Sequence, residues 1–241
     1  LNHPPTTEIK TLSLHDALPI YPSLSLGPDP RFVLGESHSG GFPVRHLFRD
    51  GRAMGTAMLW IMFAAGLFDI YFLIYWLPTI IHGAGMALNQ AVLLTAGMQV
   101  AIAVGTVLFG VIIDRIGAFR VLPVTFLLAA VGVASVGLTT GGSVWLIAAA
   151  VFAAGFFVGG SQNAVNALCA IYYPTFMRST GVSWGHGMGR FGSIVGTVAG
   201  GVMLSQLWSL PAIFAAAAVP MLLAALSALL MASTSQRENA I

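Results

Sequence analysis

Two charged side chains stand where charge is costly. Asp69 and Arg190 lie about 11 and 9 residues into long apolar stretches, which at about 1.5 Å per helical residue puts both near the middle of a bilayer. An ionisable group at that depth faces a cavity or a partner and marks a pathway. A guanidinium grips a carboxylate through two parallel hydrogen bonds, so Arg190 is the candidate for holding an organic acid. Asp69 would balance Arg190 when the site is empty, and its protonation would loosen that pair when substrate binds. The competing reading is an Asp69–Arg190 pair that is purely structural. His186 precedes Arg190 by four residues and shares its helix face. Its imidazole suits a proton relay, or else it is a polar group satisfied by a neighbouring helix.

Around these stand groups that could complete a site for a small molecule. Gln99, Gln162, Asn163 and Asn166 are amides within apolar stretches; each could hydrogen-bond a ligand or tie helices together. Tyr71, Phe72, Tyr75, Trp76 and Trp184 could stack on an aromatic ring. Trp76 is equally suited to anchoring the outer end of its stretch at the membrane interface.

The elements that must position these residues are six apolar stretches: 58–81, 91–113, 121–138, 145–170, 181–203 and 212–231. A hydrocarbon core of about 30 Å takes roughly 20 apolar residues as helix. The whole chain is 57% hydrophobic and only 7% charged, whereas a water-soluble domain is about a quarter charged. The fold expected is all-α and polytopic, with six transmembrane helices. Arg45, Arg49 and Arg52 precede the first stretch, Arg115 and Arg120 lie between the second and third, Arg178 between the fourth and fifth, and Arg237 after the sixth. The alternate connections carry neither Lys nor Arg, so both termini and the basic loops are expected in the cytoplasm. The net charge of +2 reflects this topology; no basic cluster interleaved with aromatics suggests a nucleic acid.

The chain reads as four parts: 1–20, 21–55, the bundle at 56–232, and a cytoplasmic tail at 233–241. It starts at Leu1 without a signal-peptide pattern, which suggests truncation. Residues 11–20, TLSLHDALPI, are a literal translation of ACT CTT TCC CTA CAC GAC GCT CTT CCG ATC. That string looks like a common short-read sequencing adapter, so residues 1–20 are read as an artefact. Residues 21–55 read as a cytoplasmic segment, rich in Pro, Gly and Ser as far as Gly41.

The turn between the second and third stretches reads Gly110-Val-Ile-Ile-Asp114-Arg115-Ile-Gly117-Ala-Phe-Arg120. Gly110 would let backbones approach and Gly117 would permit the turn. Asp114 can face a helix N-terminus, and the two arginines can pair with acids or lipid phosphates. The pattern resembles the cytoplasmic signature G-x-x-x-D-R-x-G-x-x-R of the major facilitator superfamily, in the copy between helices eight and nine. Ala118 stands where that signature usually has a basic residue. The run Tyr172-Tyr173-Pro174-Thr-Phe-Met-Arg178-Ser-Thr-Gly181, continuing to Gly192, is similar to helix eleven and its approach loop in the aromatic acid:proton symporters of that superfamily. The stretches His46–Arg52 and Trp76–Thr79 are similar to the start and end of their helix seven. The resemblance covers about 43–232 and only the C-terminal half of a transporter. It implies that helices seven and eleven line the central cavity, that Arg190 is functional, and that Asn166 occupies a place where the family tends to carry Asn. It also implies a gating role for Gly110, Asp114, Arg115, Gly117, Arg120 and Arg178.

The expectation is therefore half of a secondary transporter for an aromatic or related organic acid, coupled to protons, in a bacterial inner membrane. Arg190, Asn166, Tyr75 and Phe72 are expected at the substrate, and Asp69 and His186 in proton coupling. Its partners would be the acid, the proton, the lipid and a missing N-terminal six-helix half, without which it is inactive. Alternatives are a self-dimerising six-helix transporter, another branch of the superfamily carrying sugars or metabolites, or a membrane enzyme using His186 and Asp69. Two enzyme-like patterns are weak. Gly187-Met-Gly189-Arg-Phe-Gly192 has no strand before it, and Gly181-Val-Ser183-Trp-Gly185 has no acid-then-His downstream. The glycines at 181, 185, 189, 192, 196 and 200 read instead as a packing stripe. A single cysteine excludes an intrachain disulfide, the histidines lack metal-ligand spacing, and no haem, nucleotide or flavin site is expected.

Overall fold

In a computed structural model, residues 43–238 are described, so the expectations for 1–42 lie outside the described residues. Every regular element among them is helical. A single turn, α1 (Pro43–His46), precedes six long helices: α2 (Ala53–Gly83), α3 (Leu88–Ile116), α4 (Ala118–Thr139), α5 (Val144–Tyr172), α6 (Thr175–Ser205) and α7 (Leu210–Glu238). Each contains one of the apolar stretches and runs past it, because apolarity marks the lipid-covered part of a helix while hydrogen bonding continues into the interface. The last helix extends into the region expected to be tail.

Five of the six are long and apolar enough to cross a membrane; α6 is the exception. Its length is ample at 31 residues, but its composition is diluted by glycine and by Arg178, His186 and Arg190. The expectation of six equivalent spans is refined in that respect: α6 seats its glycines against protein, and its other face exposes Arg178, His186 and Arg190 in the first half and apolar Phe191, Ile194, Val195 and Val198 beyond.

The dominant helix pairs are not neighbours in sequence. They are α2 with α6, α3 with α5, and α4 with α7, with α4–α5 and α2–α7 next. If α2–α3–α4 is laid over α5–α6–α7, the first pair maps onto the second and the third onto itself. That self-consistency is the signature of two three-helix repeats of inverted topology. Buried Phe63, Phe72, Phe126 and Phe214 fill the layers between them.

The α2–α6 contact rests on the glycine stripe. A methyl group on Gly192 would run into the Ala64 backbone, and one on Gly196 into that of Phe68; at Gly185, Gly189 and Gly200 it would strike Phe63, Leu67 and Trp76. Trp76 Nε1 donates across the seam to the Thr197 carbonyl at 2.7 Å. At the end of the bundle where α2 starts, Tyr173 donates to Thr56 Oγ1 at 3.0 Å, and Thr56 donates to the Leu47 carbonyl at 2.7 Å. Burial pushes the Tyr173 hydroxyl up to about 12, which keeps it a neutral donor.

Gly117 turns the chain between α3 and α4 with φ +92°, a value that a side chain resists. Gly110 does not bring backbones together: a methyl group there would only meet the Asn163 side chain at 3.4 Å. The tight approach on α3 is at Gly105, against the Phe156 backbone. The spacing of the signature placed the turn correctly and the close contact one turn too far along.

Candidate functional site

Asp69 and Arg190 both occupy the middle of 31-residue helices, yet they do not meet. The seam sets the register: Gly192 lies at Ala64 and Gly196 at Phe68. Asp69 is therefore level with Gly196–Thr197, about 10 Å farther along the axis than Arg190. The two also point differently. Asp69 is fully buried, while Arg190 is exposed on the uncovered side of α6. The single ion pair among the described residues is Arg52–Asp50 at 2.9 Å. The expected Asp69–Arg190 pair is absent because the glycine stripe, not charge, fixes how these helices sit.

Arg190 instead donates from Nη1 to the Tyr71 hydroxyl at 2.8 Å. Tyr71 and Tyr75 are one turn apart on α2, their rings 6.0 Å apart at a tilt of 36°. Tyr75 is more than half exposed. Together they make a cation with free donors beside two phenol rings, on a face that no other described helix covers. Such a set can bind a carboxylate through the guanidinium and an aromatic ring through the tyrosines. Tyr71 was legible only as one aromatic among five; the four-residue step to Tyr75 was the available signal.

Phe72 is not part of this face. It is completely buried, with rings of Phe68 and Phe214 at 6.1 and 6.2 Å. One residue of helix rotation separates it from Tyr71, enough to turn it toward α7. In this structure Phe72 belongs to the core and not to the Arg190 face.

His186 is exposed on the Arg190 face with its ring 4.9 Å from Phe63. Toward the start of α2 and α6, Trp184 stacks on Trp60 at 6.2 Å and Phe48 meets Trp60 edge-on at 5.3 Å. Trp60 escaped the sequence reading, because a lone Trp in an apolar stretch looks like any core residue. On α5, Asn163 ties helices by donating to the Thr106 carbonyl at 3.0 Å. Gln162 and Asn166 carry buried oxygens without a hydrogen-bond partner. Gln99 is exposed on α3. Asp114, Arg115, Arg120 and Arg178 are all exposed at the end of the bundle that holds the α3–α4 turn and the α6 start.

The sequence that builds this site has relatives among known proteins. The model of the Major Facilitator Superfamily matches residues 24–175 and 58–240. A gallate transporter of Pseudomonas putida is 39% identical over 187 residues, covering 78% of this chain and 41% of the relative. The 4-hydroxybenzoate transporter PcaK of Pseudomonas aeruginosa is 35% identical, covering 80% and 43%. The 3-(3-hydroxy-phenyl)propionate transporter of Escherichia coli is 30% identical, covering 87% and 51%. The all-helical fold and its apolar helices make the chain an integral membrane protein. It belongs to the Major Facilitator Superfamily. It spans about half the length, or less, of the curated relatives it matches. Family and relatives are transporters rather than enzymes, which removes the enzyme reading of His186 and Asp69.

Proposed function

We propose that this chain is the substrate-carboxylate half of a proton-coupled transporter that imports an aromatic acid by alternating access. The observation that carries this reading is the Arg190–Tyr71–Tyr75 group: a guanidinium held by one phenol, with a second phenol alongside, on the uncovered face of α2 and α6. Gallate, 4-hydroxybenzoate and hydroxyphenylpropionate, named for the relatives, each combine a carboxylate with a phenol ring, and such a group suits both parts.

In this reading a second six-helix half faces α2 and α6, and the acid binds between the halves near the midplane. The chain alone has one wall of the site and no transport activity. Asn166 would reach the site from α5, and Asp69 and His186 would serve proton coupling. The signature residues Gly110, Asp114, Arg115, Gly117, Arg120 and Arg178 would act at the cytoplasmic gate, with both termini on that side. The bacterial sources of the relatives favour a bacterial inner membrane.

Uptake of radiolabelled 4-hydroxybenzoate by a complete transporter carrying this half tests the reading. Arg190→Lys keeps the charge and loses the two-pronged grip, so the apparent KM should rise at least tenfold, about 1.4 kcal/mol. An unchanged KM would remove Arg190 from the substrate.

A further inference from the structure

Asp69 is surrounded differently from every other charged group here. Its side chain is fully buried and both carboxylate oxygens lack a hydrogen-bond partner. Gln162 approaches from α5: its Oε1 occupies the space over Gly66, one turn before Asp69 on the buried side of α2, and neither end of its amide has a partner. Asn166 also leaves a buried Oδ1 unpartnered, but α5 runs antiparallel to α2, with Tyr172 at Gly55 and Gln162 at Gly66, so Asn166 lies toward the level of Met62, away from Asp69. Two polar side chains, Asp69 and Gln162, thus supply three unsatisfied oxygens about one turn apart in the interior of the bundle. In the overlay of the two repeats, Asp69 and Gln162 sit on equivalent helices, near the middle of each.

A buried carboxylate with no cation beside it is strongly destabilising as an anion. The charged and titratable groups on the helices packed against α2 do not relieve it. On α6 these are Arg178, His186 and Arg190, on α5 Cys169 and Tyr172, and on α3 Asp114 and Arg115. There are none on α7 between Leu210 and Ser233. On α2 itself Tyr71, Tyr75 and His82 remain. None of them forms a described hydrogen bond or ion pair with Asp69.

A proton or a bound cation would remove that penalty. Hard cations take about six or more oxygens, and transporters that bind sodium draw on carbonyls freed by unwound helix segments. Here α2 and α5 run as unbroken helices past Asp69 and Gln162, so their carbonyls there are spent on the helix. One carboxylate and one amide oxygen suit a proton.

We infer that Asp69 is a proton-binding site lodged between α2 and α5, its acid hydroxyl donating to Gln162 Oε1, and separate from the Arg190 face. One proton from water converts the carboxylate to the acid, and nothing else is consumed. As the coupling site of transport this rests on the function proposed above; as a site of protonation it does not. Coupling then passes along α2, which carries Asp69 on its inner side and Tyr71 on its outer side, instead of through a direct pair with Arg190. It also assigns Gln162 a positioning role that no motif indicated.

Infrared difference spectroscopy on the purified full chain in lipid bilayers tests this without substrate. At neutral pH the chain should show one C=O stretch of a buried protonated carboxylic acid, lost in Asp69→Asn and retained in Arg190→Lys. Gln162→Leu should keep the band but move it to higher frequency, as the acid loses its acceptor. Circular dichroism of each variant identifies failures to fold, and the Gln162→Leu shift keeps the test alive if Asp69→Asn is one of them. Absence of the band in the wild type, its loss on adding sodium chloride, or an unmoved band in Gln162→Leu would each overturn the proposal. If the band behaves as expected while Arg190→Lys leaves uptake unchanged, the proton site stands and the substrate reading falls.

Discussion

The α2–α6 and α4–α7 pairs are both helix contacts in the same bundle, and they are built on opposite rules. Between α4 and α7, large side chains interlock: Phe126, Val133, Ile213, Phe214 and Met221 are buried, and Gly137 provides one close approach, 3.0 Å from the Pro211 Cα for an added methyl. Between α2 and α6, glycines seat backbone on backbone along several turns. In lipid, apolar side chains gain nothing by leaving one hydrocarbon for another, so close approach and polar contacts drive helix association. The apolar pair can turn its remaining surface to lipid, as exposed Leu222 and Leu229 do. The glycine pair fixes Arg190 against Tyr71 to within one hydrogen bond. A site that must recognise a carboxylate gains from that fixed register.

The comparison breaks most severely at the glycines. Gly192→Ala drives a methyl into the Ala64 backbone and should cost about 3 kcal/mol, against about 1–2 kcal/mol for Gly137→Ala, whose methyl would meet Phe214 Cβ at 2.9 Å and the Pro211 and Leu210 backbone at 3.0 and 3.1 Å. Denaturation of the purified chain in micelles, followed by circular dichroism, would measure both; equal losses would mean that the two seams are equivalent. A smaller effect belongs to Tyr71→Phe. Losing its hydroxyl frees the guanidinium to wander, and KM for 4-hydroxybenzoate in a complete transporter should rise about fivefold, near 1 kcal/mol. Trp76→Phe removes the indole bond to Thr197 and should cost about 0.6 kcal/mol in the same denaturation assay. On the lipid side of α7, Leu229→Ala should stay within about 0.5 kcal/mol.

The helices themselves were plain in the sequence, because six apolar runs with charged linkers admit few other arrangements. The glycine repeat at 181–200 likewise announced a packing stripe, and Gly117 its turn. What could not be read was rotation. Phe72 and Tyr71 are adjacent, both aromatic, and equally plausible beside a ring-bearing ligand; only the contact with Phe214 assigns one to the core. Depth misled for a related reason. Counting residues from the ends of stretches put Asp69 and Arg190 at one level, but the register between α2 and α6 offsets them by nearly two turns. Gln162 was one of four amides with no local cue to separate it from Asn163, which ties two helices.

The pairing of α2 with α6 also dictates a schedule. Roughly 90 residues separate the end of one helix from the start of the other, which a ribosome needs on the order of 5–20 s to make. Throughout that interval α2 sits in the membrane without its principal neighbour, the face of Ala64 and Phe68 that the α6 glycines will cover left open and a carboxyl group turned toward lipid or toward whatever assists insertion. Biogenesis of this bundle must include a waiting period, and the helix that ends it is the least apolar of the six.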